Sequence, residues 1–134
     1  MVHLVTFTTV GRMPLFSDPG RAHEMARLIS APVHWRRSRL LAWVLMPDHW
    51  HGLVELGALE SLEICVGRMK GRTARALRQR EHGLASIWSA AFHDRAIRRE
   101  GEILSAARYL VLNPVRAGLV RRIGDYPWWD AVWL

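Results

Sequence analysis

Residues 3–10 alternate in polarity: His3, Val5, Phe7 and Thr9 share one face, and Leu4, Thr6, Thr8 and Val10 the other. Period-two alternation rich in threonine, valine and phenylalanine predicts a strand. Gly11 opens a loop. Asp18 can cap a helix with Pro19 at its first position, and from there Ala22, Met25, Ala26 and Ile29 recur at helical spacing until Ala31-Pro32 closes the segment. An arginine-rich loop, 33–39, leads to two apolar runs, 40–46 and 49–56. Too few residues separate them for a crossover, so they predict an antiparallel pair. Leu62, Cys65, Val66, Met69, Thr73, Ala76 and Leu77 mark a second helix over about 59–81, ended by Gly83. Residues 92–98 read as a short strand, and a third helix runs from Glu102 to Leu112. Pro114 biases Asn113 out of the helical region and should stop that helix. The tail, 125–134, holds three tryptophans and should pack on the body.

This order, strand-helix-strand-strand-helix-strand-helix, predicts an α+β domain: one antiparallel-rich sheet with helices on one face. At 134 residues the chain reads as a single domain, 1–134, with no repeat or low-complexity segment. Half of its residues are hydrophobic, enough for a core. A formal net charge of +7 favours a polyanionic partner, nucleic acid before anionic membrane. The single cysteine, Cys65, excludes an intrachain disulfide and any zinc site built on cysteine pairs. No signal peptide is visible, and no apolar run approaches the roughly 20 residues that span a bilayer. The expectation is a cytoplasmic protein without a membrane partner.

Three groups of residues carry candidate chemistry. The first is Met46-Pro47-Asp48-His49-Trp50-His51. In a strand His49 and His51 point the same way and Trp50 into the opposite layer, so two imidazoles can share one metal ion. Two half-buried polar residues on a strand are the structural alternative, and imidazole suits several transition metals without selecting one. Glu55, on the same face, is either a partner for a ring N–H or a solvated carboxylate. The second group is Tyr109 and Asn113, at i and i+4 on one helix face. A helical tyrosine among apolar residues is also explained as core with its hydroxyl at the rim. Asn113 before Pro114 is also explained as the cap of a following turn that Gly118 ends. Tyr126, the other tyrosine, precedes Pro127 in a loop.

The third group is basic. Arg68, Arg72, Arg75 and Arg78 fall within an arc of about 120° of the second helix, with Lys70 on the same helix. Few acids alternate with them. Gly67 and Gly71 sit near the arginine edge, where a missing side chain admits a backbone or phosphate. The stripe therefore predicts nucleic-acid contact, against the plainer reading of a solvated face. Arg36 and Arg37, beside Trp35, form a second patch. Trp35 either stacks on an unpaired base or packs as core, whereas Trp43 and Trp50 read as core.

Together these segments resemble a known family. The run from Trp43 to Val54, with His49-Trp50-His51 at its centre, resembles the His-hydrophobe-His (HUH) motif of the IS200-like single-tyrosine transposases. Tyr109-Leu110-Val111-Leu112-Asn113-Pro114-Val115-Arg116-Ala117-Gly118-Leu119-Val120 resembles the tyrosine motif of their REP-associated branch. Trp88 with Phe92–Arg98 resembles the region between the motifs, and Tyr126-Pro127-Trp128 the C-terminal signature of that branch. The resemblance spans nearly the whole chain, in the same order.

The resemblance implies a ferredoxin-like or RRM-like sheet with helices. It implies a metal-dependent single-strand DNA endonuclease and strand transferase acting on single-stranded or hairpin, REP-type DNA. His49 and His51 carry over as ligands of a divalent metal, Mg²⁺ or Mn²⁺, and Asn113 as an amide ligand. Tyr109 carries over as the nucleophile that leaves a 5′-phosphotyrosine and a free 3′-hydroxyl. Because one tyrosine serves each cleavage, a homodimer or two successive encounters would supply the second site. Two readings from other classes compete. One is a non-catalytic RRM-like nucleic-acid-binding domain with the His pair idle; the other is a small metal-dependent hydrolase with Tyr109 structural.

Overall fold

The computed structural model describes residues 1–134, the whole chain. Five strands, β1 (Val2–Thr8), β2 (Arg39–Met46), β3 (His49–Glu55), β4 (His93–Ile97) and β5 (Trp129–Ala131), form one sheet in the order β4-β1-β3-β2-β5. Every neighbouring pair is antiparallel. Four α-helices accompany it: α1 (Pro19–Ile29), α2 (Leu62–Arg80), α3 (Ile103–Val111) and α4 (Asn113–Arg116). None is long and apolar enough to cross a membrane.

Local chemistry sets the helix ends. The Asp18 carboxylate accepts from the Gly20 amide ahead of α1, with Pro19 at its first turn. Ser61 accepts from the Ile64 amide ahead of α2. Each side chain takes up an amide that the helix itself leaves without a partner. Pro114 breaks the last helical stretch into α3 and α4, and Gly118, at φ +76°, ends α4 in the left-handed region that favours glycine.

The α+β class is as expected, but the helices divide between both faces of the sheet rather than lying on one. Val5, Phe7, Trp43, Leu45, Trp50 and Val54 form the larger core with α1 and α2. Val2, Ala42, Val44, Met46, Leu53 and Ile97 form a second core with Ala106, Ala107 and Leu110 of α3. The physical reason lies in β2, where every residue from Leu41 to Met46 is buried. A strand apolar on both sides must be covered on both sides.

The tail packs on the body, as its tryptophans suggested, and also adds a strand. β5 pairs with the outer edge of β2, and the Leu45 amide donates to the Trp128 carbonyl at 2.9 Å. At the other end of β2 the turn Pro47-Asp48 is gripped by the β1–α1 connection. The Thr9 amide donates to the Asp48 carbonyl (2.9 Å) and the Phe16 amide to that of Pro47 (3.0 Å). That grip fixes the start of β3, where the two histidines lie.

Candidate active site and nucleic-acid interface

Strand parity builds the first half of the site. Trp50 is fully buried in the α1–α2 core and stacks on Phe7, so His49 and His51 point to the α3 face. Their rings lie 4.6 Å apart, centroid to centroid, at 82°. Each ring is oriented through Nδ1: His49 bonds the Asp48 carboxylate at 2.7 Å and His51 the Thr6 hydroxyl at 2.7 Å. A carboxylate only accepts, so Nδ1 of His49 carries the proton and Nε2 keeps its lone pair. Arg12, at φ +56°, donates Nε to the same Asp48 carboxylate at 3.0 Å. Burial pushes the His51 imidazole down to about 4, with repulsion from His49, Arg116 and Arg12 adding to it. His51 is therefore neutral near pH 7.

Neither Nε2 has a hydrogen-bond partner in the protein; the Asp48 carboxylate leaves the His49 lone pair on Nε2, and the Thr6 hydroxyl, able to accept from Nδ1–H of His51, permits the same tautomer there. No group of three or more His, Cys, Asp or Glu side chains converges anywhere in the molecule. The donor set is thus two imidazoles with open positions beside them, which fits an ion that must also hold substrate oxygens. Asn113, the expected amide ligand, is the first residue of α4; it is half-buried, and its side chain makes no hydrogen bond. Glu55 takes no part: it is exposed at the far end of β3, and Asp48 and Thr6 do the work considered for it.

The two tyrosines differ sharply. Tyr126 is buried, and its hydroxyl donates to the Leu45 carbonyl. Burial pushes its phenol up to about 12. Tyr109 stands 63% exposed on α3, the helix that covers the histidine face. It lines a shallow cleft with Arg95 and Ile97 of β4 and Ser105 of α3. The Arg116 guanidinium lies over its ring, 3.7 Å from the centroid. The same guanidinium adds to the lowering of the His51 imidazole. Sequence reasoning did not single out Arg116 or Asp48. Asp48 directly before His49 was a usable signal; Arg116 depends on how α4 bends back after Pro114.

The basic residues do not form one stripe. Arg68 is committed to Glu60 through a two-pronged ion pair at 2.7 and 3.1 Å and also donates to the His34 carbonyl. Of the expected phosphate contacts it is the one already engaged in an ion pair within the protein. Lys70 turns the other way and donates to the carbonyls of Ala90 and Ala91. Arg72, Arg75 and Arg78 on α2, and Arg36 and Arg37 before β2, make no ion pair; all but the half-buried Arg78 are exposed. These residues flank the α1–α2 side of the sheet, opposite Tyr109 and the histidines. Trp35 does not serve as a free stacking platform: it is half-buried against the larger core, and its indole N–H donates to the Ile29 carbonyl at 2.8 Å.

Comparison with known proteins adds to this geometry. The sequence model of the family described as "Transposase IS200 like" matches residues 1–109, from β1 to the exposed tyrosine itself. The REP-associated tyrosine transposase of Escherichia coli (strain K12) is 30% identical over 88 residues, 64% of this chain. That alignment covers half the length of the E. coli protein. Among solved structures, a REP-associated tyrosine transposase bound to a REP hairpin superposes with a TM-score of 0.77 at 24% identity, covering 96% of this chain and 74% of the other. A Deinococcus radiodurans R1 protein described as a transposase superposes with a TM-score of 0.59 at 18% identity, covering 81% and 87%. Both likenesses show the fold.

Proposed function

This chain belongs to the IS200-like transposase family, and from that membership and the site geometry we propose that it cuts and rejoins single-stranded DNA at or beside a hairpin. The observation that carries the reading is that the two imidazoles and the helix bearing the exposed member of the two tyrosines lie on the same face of the sheet. The E. coli relative's name and the hairpin in the superposed structure support hairpin DNA of the REP type as substrate.

In the proposed reaction the Tyr109 Oη attacks a phosphorus of the DNA backbone. The new Oη–P bond forms as the bond to the upstream 3′ oxygen breaks, the phenol proton passes to solvent, and the 3′ oxygen leaves as a hydroxyl. The product is a 5′-phosphotyrosine. Attack by a 3′-hydroxyl reverses the step and rejoins strands without another energy source. A divalent ion on His49 and His51, with Asn113 as a third ligand, would supply Lewis-acid polarisation of a non-bridging oxygen. Two imidazoles favour Mn²⁺ over the strictly oxygen-seeking Mg²⁺. Asp48 and Thr6 hold the rings in register. Arg116 holds the tyrosine ring against its own guanidinium and places a cation where the phosphate must arrive.

The test is incubation with hairpin oligonucleotides carrying single-stranded flanks, with Mn²⁺ or Mg²⁺, followed by a denaturing gel. A covalent protein–DNA species is expected for the parent protein and for Tyr126→Phe, and none for Tyr109→Phe. Adduct formation by Tyr109→Phe would remove the proposed nucleophile. Binding with no adduct at all would favour the non-catalytic domain, and metal-dependent hydrolysis without adduct the small hydrolase.

A further inference from the structure

One residue beside the histidine pair is held in a conformation that works against stability. Arg12 is the one non-glycine residue of the chain at positive φ, +56°, and Gly11 before it lies at +61°. In the left-handed region Cβ crowds the following carbonyl, so glycine sits there freely and arginine does not. The backbone around it is fastened from both sides. The Arg12 amide donates to the Thr9 carbonyl at 3.0 Å, and the Met13 amide to the Val10 carbonyl at 3.2 Å. The buried Thr9 hydroxyl shares its proton between the Met13 carbonyl at 2.7 Å and the Asp48 carbonyl at 3.1 Å. Strained positions persist only where the surroundings over-determine them, and they collect at functional sites.

What the strain secures is the place of a guanidinium. Nε of Arg12 donates to Oδ2 of Asp48 at 3.0 Å, and Oδ1 of the same carboxylate takes Nδ1–H of His49 at 2.7 Å. Arginine, carboxylate and imidazole form one chain that ends at the histidine pair. The ion pair does not offset the strain, because the Arg12 side chain is 61% exposed and exposed pairs contribute little. Its Nη1 and Nη2 have no partner in the protein. They are the donors of a rigid fork that fits phosphate oxygens. We propose that Arg12 holds a backbone phosphate of the DNA strand at the histidine pair, its Nη groups on the phosphate oxygens while its Nε stays on Asp48. Asp48 fixes the guanidinium before DNA arrives, so little freedom is lost when the phosphate docks. The two cations beside the site then divide the strand between them. Arg116, on α4, lies over the tyrosine, and Arg12, from the β1–α1 connection, serves the histidine end.

The inference rests on the reading that this face acts on DNA, and its test needs no cleavage. Binding of a hairpin with single-stranded flanks to the non-cleaving Tyr109→Phe protein is followed by fluorescence anisotropy with Mn²⁺ present. The flank phosphates are replaced one at a time by neutral methylphosphonates. At one linkage, neutralisation is expected to weaken Tyr109→Phe about tenfold and to leave Tyr109→Phe/Arg12→Gly unchanged. On unmodified DNA, Arg12→Gly should bind about tenfold more weakly, with log K against log salt shallower by about 0.7. Arg12→Lys, a point charge without the fork, should recover the slope but not the affinity. Glycine fits the backbone here, so Arg12→Gly should melt within about 4 °C of its parent. Equal losses at every linkage, an unchanged slope, or full affinity with lysine overturns the proposal. Mn²⁺-dependent binding that is indifferent to Arg12 removes this proposal alone. Absence of any DNA binding by the Tyr109→Phe protein removes the reading of the site along with it.

Discussion

One methyl group tests how the histidine face is built. A Cβ on Gly52 would lie 1.9 Å from Cη2 of Trp50, 2.5 Å from Cζ3 and 2.6 Å from Cζ2. Carbon atoms rest at about 3.5–4.0 Å, so ring or strand must yield by roughly 1.5 Å. The ring has no free space. Trp50 is fully buried, it stacks on Phe7 at 4.9 Å between centroids, and Phe7 meets the edge of Trp88 at 4.7 Å. Gly52→Ala must therefore take the cheaper of two routes. Overpacking strain costs about 1–3 kcal/mol and occasionally more; giving up the ring costs about as much as truncating it, roughly 3–5 kcal/mol. The expected loss is about 3 kcal/mol, bounded near 5 by the second route. In a Trp50→Ala background the methyl enters space the ring has left, and its cost should fall to within about 0.5 kcal/mol of zero. The coupling energy is then about 3 kcal/mol, large for a pair in contact. Denaturant melts of the four proteins measure it. A loss below about 1 kcal/mol for Gly52→Ala, or the same loss in both backgrounds, would refute the placement of Trp50 over Gly52. Because Trp50 separates the two histidines, their shared face would fall with it.

Other outcomes follow from single contacts. Asp48→Ala removes the acceptor that orients His49 and should weaken Mn²⁺ binding about 10–100-fold; a calorimetric titration matching the parent would sink that role. His49→Ala or His51→Ala should each abolish metal-dependent adduct formation, as a chelator does, and an adduct of parent yield would show the pair to be idle. The Arg68 guanidinium and the Ser38 hydroxyl hold Glu60 down at about 2, below the ordinary carboxylate value. A lowered folded value stabilises the protein above about pH 4.5, and that contribution is lost as pH falls towards 2. With the Glu60 side chain 2% exposed, the contribution is on the order of 3 kcal/mol. Urea midpoints should therefore fall across that window for the parent and fall less for Glu60→Gln; equal slopes would contradict it.

The sequence made some of this legible and not the rest, for identifiable reasons. Strand parity alone put His49 and His51 together and Trp50 in the core, because a side-chain period of two leaves no other choice once the strand is assigned. Helical spacing placed Tyr109 and Asn113 near the break at Pro114. The unbroken apolar run Leu40–Met46 predicts a strand, and its lack of alternation is the sequence sign of a sheet covered on both faces. β5 has three residues, too few for periodicity to register. The commitment of Arg68 was hidden because its partner, Glu60, precedes the cap of α2. A search for acids one turn away on the helix does not reach it. Arg116 was out of reach because its place over Tyr109 depends on the bend between α3 and α4, which no spacing rule encodes.

The tail has a consequence for the life of the chain outside its reaction. β2 is apolar on both sides, and its outer edge is covered by the tail from Trp128 to Val132, with the Tyr126 hydroxyl and the Trp128 carbonyl pinning it at Leu45 and the Val132 amide at Leu41. Stripped of that cover, Arg39–Met46 would present open amides and carbonyls along a hydrophobic strand, the template on which a second copy adds and aggregates. The opposite edge needs no such guard, since β4 exposes His93, Asp94 and Arg95 there. The tail thus occupies the pairing edge of the strand that leads into the histidines, the edge on which a second copy would otherwise add.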